Sequence, residues 1–284
     1  MEGSTGHRTP DGRAGFSLPE LLVTMVLVLV IGVTLFGVFA YQVRFHATED
    51  AIRDSRTTAR SALNVLTSDL RMVDRSGGVV SAAEREVVLR VPHAFGVVCA
   101  SDAVRTDVSI LPTDSIGYAN AGFSGWGWRN AGSGAWEYIE ASVTVSEPGS
   151  STCSAASVAV LPEGRVVRIA PGVAGLAAGN PVMLFQRIRY RFDDSASLPG
   201  RDGLYRTIQA TGQDVELISP FTGDSRFRFY TDWETVQDAV PANLSDILGL
   251  EITLDAESAG DSPRLSAPED FTLTTSIFFK NIPG

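Results

Sequence analysis

The chain has 284 residues, of which 44% are apolar and 20% charged, and a formal net charge of −10. An acidic balance of this size argues against nucleic-acid binding by bulk electrostatics, because affinity for phosphate backbones depends on clustered lysine and arginine. The three histidines, His7, His46 and His93, have no spacing that suggests a zinc site.

At the start, Arg8 and Arg13 are balanced by Glu2 and Asp11, so charge bias orients the following segment only weakly. Leu21 to Val43 is then an apolar run without a charged residue. About twenty apolar residues cross a bilayer, and this run spans roughly 34 Å at about 1.5 Å per residue. Glu20 stands directly before it. An ionised carboxylate beside hydrocarbon costs several kcal/mol unless it sits at the interface or finds a cation. A secretory signal peptide has an apolar core of about 7 to 15 residues, well short of this run. Val38-Phe39-Ala40 would be the cleavage site on that reading, and a plain signal anchor is the other general reading.

Residues 15 to 25, Gly-Phe-Ser-Leu-Pro-Glu-Leu-Leu-Val-Thr-Met, resemble the type III signal of type IV pilins and type II secretion pseudopilins. The resemblance implies that a prepilin peptidase cuts between Gly15 and Phe16 and that Phe16 is N-methylated. It further implies that Glu20 pairs with the terminal amine of a neighbouring subunit during assembly. A buried carboxylate left alone is far worse than one paired and hydrogen-bonded, so the pairing is physically sensible. Pro19 replaces the Ile or Val of many relatives, and proline is tolerated in the first helical turn, where its missing N–H has no partner anyway.

Beyond Val43, Ile52, Ala59, Leu63, Leu66, Leu70 and Val73 draw one apolar stripe along a helix. Arg53, Asp54, Arg56, Arg60, Asp69, Arg71 and Asp74 fall largely away from it. Gly77-Gly78 is a stop signal, so one helix is expected from about Leu18 to Ser76. Gly32 and Gly37 lie in its membrane half, where they suit close helix contact or local unwinding.

From Val79 onward short alternating runs predict half-buried strands. They include Val87–Val91, Ile188–Phe192, Leu204–Gln209, Asp214–Ser219, Arg226–Tyr230, Leu248–Leu254 and Phe271–Phe279. A short helix is expected near Asp232–Val240 or Asn243–Leu248. An antiparallel sheet laid on the outer half of the helix follows, an α+β roll, which is also the pilin-like architecture that the resemblance implies. The predicted organisation is a cleaved leader at 1–15, a transmembrane and assembly helix at 16–43, its amphipathic half at 44–78, and a β-rich domain at 79–284.

Residues 96–157 are expected to form an irregular Gly/Ser/Trp-rich insertion, with Trp126, Trp128 and Trp136 close together. These tryptophans either serve an exposed binding loop or pin the segment to the sheet by burial, and burial is favoured. Cys99 and Cys153 bracket the segment as a candidate disulfide, with two free thiols as the alternative.

The search for catalytic chemistry finds little. Gly122-Phe123-Ser124-Gly125-Trp126 misses the nucleophile elbow at its last glycine, and Gly125-Trp126-Gly127 lacks the third glycine of a dinucleotide loop. Asp193, Asp194 and Asp202 around a turn offer oxygen ligands for calcium, but a polar hairpin loop is the ordinary reading. No enzyme activity, cofactor or metal is predicted.

Within the family, Arg187-Ile188-Arg189-Tyr190-Arg191-Phe192, Gly203-Leu204-Tyr205-Arg206 and Phe278-Phe279-Lys280-Asn281 resemble strands of PilW-type minor pilins and J-type pseudopilins. The implied role is a non-enzymatic minor subunit that primes or caps a pilus or pseudopilus. Its implied partners are other pilin subunits through the N-terminal helix, the prepilin peptidase and, before assembly, the inner membrane, with the C-terminal domain exported. The alternatives are a filament-tip adhesin or DNA-uptake factor, a membrane-anchored hydrolase, and a generic anchored ectodomain.

Overall fold

The computed structural model describes residues 17–120, 122–140, 144–147, 149–263 and 266–279. A long helix, α1 (Leu18–Leu70), leads into strands β1 (Val79–Ala83), β2 (Glu86–Ser101) and β3 (Thr106–Ile110), and α2 (Pro112–Asn120). There follow β4 (Gly125–Arg129), β5 (Trp136–Glu140), β6 (Thr144–Ser146), α3 (Ser151–Ala155), β7 (Arg165–Ala170), β8 (Pro181–Asp194) and β9 (Asp202–Ile208). The chain closes with β10 (Gln213–Phe221), β11 (Arg226–Tyr230), β12 (Val236–Gln237), β13 (Gly249–Glu257) and β14 (Asp270–Phe278).

The fourteen described strands join one antiparallel sheet, its main path in the order β12-β11-β13-β10-β9-β8-β2-β3-β7-β6. β1 pairs with β2, β14 with β13, and β4 with both β5 and β8. A long apolar N-terminal helix and a large antiparallel sheet make the chain α+β.

Two cores share this sheet. In the first, Ala59, Ala62, Leu66 and Leu70 of α1 pack on Leu89, Ile188, Phe227, Phe229, Ile252 and Leu254. Each fully buried leucine or isoleucine contributes about 1.5–3 kcal/mol, so this face holds the outer half of α1 to the sheet. The second gathers Val98, Val108, Ile110, Trp126, Val167 and Leu184. β2 and β8 run through both cores, paired from Glu86↔Arg191 to Val97↔Pro181. Their register shifts between Pro92 and Ala94, a bulge at His93 where β2 passes from one core to the other.

Helix α1 ends at Leu70, six residues before the predicted stop. Met72 N–H donates to the Asp69 carbonyl and Val73 N–H to the Leu70 carbonyl, tightening the last turn, and Gly78 N–H closes a separate turn on the Asp74 carbonyl. Gly77, at φ 119°, belongs to that second turn. Val73 extends the apolar stripe because it is buried in the same core, although the backbone there is no longer helical.

Residues 96–157 also differ from the irregular insertion expected. They carry β3, β4, β5 and β6 as members of the main sheet, with α2 after β3 and α3 after β6. No α-helix forms at 232–240 or 243–248. The described backbone there holds β12 and one 3-10 turn at Leu244–Asp246, whose Ser245 N–H donates to the Asn243 side chain.

Candidate functional site

The N-terminal part of α1 stands clear of the sheet. Residues 17–46 are exposed apart from a half-covered Ala40, and burial begins at Thr48. Leu21, Val28, Phe36, Tyr41 and Phe45 all keep more than half of their surface open. The most apolar stretch has a mean hydropathy of 2.8, so this helix is long and apolar enough to cross a membrane. A Cβ built on Gly32 or Gly37 meets nothing within 4 Å, so both positions are open to an external surface.

Ser17 caps α1 with an extended backbone, φ −75° and ψ 147°, and Pro19 sits in the first turn. The Glu20 carboxylate faces back over this end, accepting long hydrogen bonds from Ser17 N–H at 3.5 Å and Ser17 Oγ at 3.4 Å. An acid in the first turn is also favoured by the helix dipole. Glu20 has no cation within 4.0 Å among the described residues. Gly15 and Phe16, assigned by resemblance to cleavage and methylation, lie outside the described residues.

At the other end, two tyrosine–aspartate contacts tie α1 to the sheet. Tyr190 Oη donates to Asp69 Oδ2 at 2.6 Å, and Arg206 approaches the same carboxylate at 3.3 Å. Tyr138 Oη donates to Asp74 Oδ2 at 2.9 Å, alongside Ser76 N–H at 3.1 Å. Burial holds the Asp74 carboxyl above its usual range, against the lowering effect of the Tyr138 and Ser76 hydrogen bonds. Burial likewise raises both phenols, helped by the neighbouring Asp74 and Asp69 charges. Acids at a helix C-terminus oppose the dipole, and these donors offset that.

β5 and β2 meet the turn after α1 at this junction. The Arg90 guanidinium lies 4.8 Å over the Tyr138 ring, binds Glu140 at 2.5 Å and donates to the Gly77 carbonyl. Glu140 also takes Arg187 at 3.1 Å. No motif in the sequence marks Asp74 or Tyr138. The only signal is a polar residue placed directly after the last apolar position of the stripe.

Cys99 and Cys153 form a disulfide with Cα atoms 4.6 Å apart, clustered with Val166. Trp126 is fully buried and Trp128 is 9% exposed, with ring centroids 5.2 Å apart. These two tryptophans therefore pin β4 to the second core rather than line an exposed loop. Trp136 is partly buried at the start of β5.

The arginine row of β8 is matched by carboxylates: Arg187 by Glu140, Arg189 by Glu86 at 3.7 Å, and Arg191 by Asp214 at 2.7 Å and Asp193 at 3.1 Å. At the turn considered for calcium, Asp193 faces Arg191 and Asp202 faces Arg85. Among the described residues no group of three His, Cys, Asp or Glu side chains is arranged to hold a metal. Comparison with protein-family models, curated proteins and solved structures finds no match for the chain.

Proposed function

We propose that the chain is a non-enzymatic minor pilin or pseudopilin, anchored by α1 in the inner membrane before assembly and then drawn into a filament through the same helix. The observation that carries this reading is the division of α1. Its first part offers apolar side chains and a charged Glu20 to something outside the chain, while its last part is buried on the chain's own sheet. A helix exposed and apolar on all sides needs lipid or other helices as its solvent. Both are available to a subunit that leaves a membrane for a helical bundle. The sheet lying on the outer half of α1 supports the finer description of a pilin-like roll.

On this reading the prepilin peptidase cuts after Gly15, Phe16 supplies a methylated amine, and Glu20 of one subunit takes the amine of the next. The size of the β-rich body favours a place at or near the tip over a repeated shaft position. Mass spectrometry of the mature amino terminus tests the proposal. A chain beginning with N-methylated Phe16 is expected, and an intact leader or a start at Tyr41 would overturn it.

A further inference from the structure

β14 is an open edge. The ladder with β13 keeps one register from Gly249↔Phe278 to Glu257↔Asp270. It is bracketed by Ser258 N–H donating to the Glu269 carbonyl and Phe279 N–H to the Leu248 carbonyl, both at 2.9 Å. Hydrogen-bonded pairs recur every second residue in an antiparallel ladder. The N–H and C=O groups of Asp270, Thr272, Thr274, Ser276 and Phe278 therefore point away from β13, and no described strand meets them. The strand has no lysine, no proline and no bulge, and its one charged residue is Asp270 at its start.

A second feature lies alongside. Arg56 stacks 5.6 Å over Phe271 near the start of β14, and Asn64, Thr67 and Arg71 line a groove with Thr275, Ser276 and Ile277 near its end. α1 and β14 thus run in the same direction, and Arg53, Arg56 and Arg60 follow one exposed stripe of the helix that Arg71, its C-terminal cap, continues. Arg53 has only the exposed Asp50 at 4.0 Å, and Arg56, Arg60 and Arg71 have no carboxylate within that distance among the described residues. On a protein of net charge −10, whose β8 arginines are paired with carboxylates, Arg56, Arg60 and Arg71 have no such partner among the described residues.

We propose that the open edge of β14 is a docking site for an extended, acidic segment of a different protein, which adds as a further strand and sets carboxylates against Arg56, Arg60 and Arg71. Backbone pairing supplies affinity and the arginines supply selection, the usual division of labour in strand addition. The spacing fits, since same-face residues of a strand recur about every 6.8 Å and Arg56 and Arg60 are separated by about 6 Å along the helix. A second copy pairing about a two-fold axis would set the two α1 helices antiparallel, with their apolar runs at opposite ends. One bilayer cannot hold both, an exclusion that rests on the membrane-anchored reading above.

The test uses the full chain in detergent micelles and two labelled peptides matched to β14 in length, one alternating glutamate with valine and one alternating lysine with valine. The acidic peptide is expected to bind and to slow amide exchange at Thr272, Thr274 and Ser276. Arg60→Glu combined with Arg71→Glu is expected to weaken binding at least about tenfold, as reversal of facing charges does. Thr274→Pro, which removes an outward N–H, is expected to abolish it. Should that variant fold poorly, Thr272→Pro and the exchange measurement decide. Absence of binding by the acidic peptide, equal binding of the lysine peptide, or indifference to the proline variants overturns the proposal. So does preferential capture of a DNA duplex by the same arginines, or concentration-dependent self-association that Thr274→Pro removes. A mature terminus other than Phe16 would unseat the filament reading without altering this measurement.

Discussion

Tyr138 reaches across 64 positions of sequence to donate its hydroxyl to Asp74, the buried carboxylate that follows the end of α1. The contact fixes β5 to the turn that follows the helix, and Tyr138 itself is held between Phe185, 5.7 Å away edge to face, and the Arg90 guanidinium. Tyr138→Phe leaves the buried Asp74 short of a donor and is expected to cost about 1–3 kcal/mol. Asp74→Asn keeps an acceptor for Tyr138 while removing a charge that burial disfavours, and is expected to cost less. Paired denaturant titrations of the two variants check the order.

Acid acts on this fold through His93. Its ring nitrogens are buried without a hydrogen-bond partner among the described residues, Phe123 lies 6.4 Å away, and burial pushes its pKa down to about 4 despite the attraction of Asp114. The folded pKa lies below the ordinary 6.5, so the unfolded chain binds the proton first. Stability is then lost as pH falls from 6.5 toward 4. Melting temperatures across that window are expected to decline, and His93→Gln, which cannot take up the proton, should flatten the slope.

Glu216 loses its contribution in a lower window. Burial raises its carboxyl, but hydrogen bonds from Ser195, Ser197, Ser219 and the Ala196 N–H outweigh that and bring it to about 2. Its stabilisation is present above the ordinary 4.5 and disappears as pH falls toward 2. Glu216→Gln should therefore be less stable than the parent at neutral pH and converge on it in strong acid, as read by circular dichroism.

Removing the disulfide separates local from global stability. Cys99 and Cys153 close a loop with a sequence separation of 54, worth about 4 kcal/mol on the chain-entropy model. The double alanine variant is expected to lose most amide protection in β3, β7 and α3, which surround the bond, and least in β13 on the α1 core. Hydrogen exchange resolved by segment makes that comparison.

Glu20→Ala concerns assembly rather than folding. The side chain touches only Ser17 among the described residues, so the variant should insert and fold normally. Cross-linking between neighbouring subunits is expected to fall sharply, and normal incorporation into filaments would refute the pairing with a terminal amine.

Much of this architecture could be read from residue order. An uncharged run followed by a stripe at steps of three and four gives one continuous helix, and period-two alternation marks β8 to β11, β13 and β14. The second core was hidden because Gly125-Trp126-Gly127-Trp128 looks like a flexible loop. Those glycines are there for close approach: a Cβ at Gly125 would lie 2.3 Å from the Ile139 carbonyl oxygen and 2.6 Å from the Phe185 ring. The two tryptophans, at alternate positions, were the period-two signal. The stop expected at Gly77-Gly78 lies past the true end of α1 because Val73 continues the apolar stripe after the backbone has left the helix at Leu70.

The continuity of β2 and β8 through both cores has a mechanical consequence. Force applied to the second core does not meet a hinge or a linker. It loads the β2–β8 ladder in shear, spreading across its eleven paired positions at once, and passes into the strands that grip the outer half of α1. Pull on one end of the body and the helix must move with it.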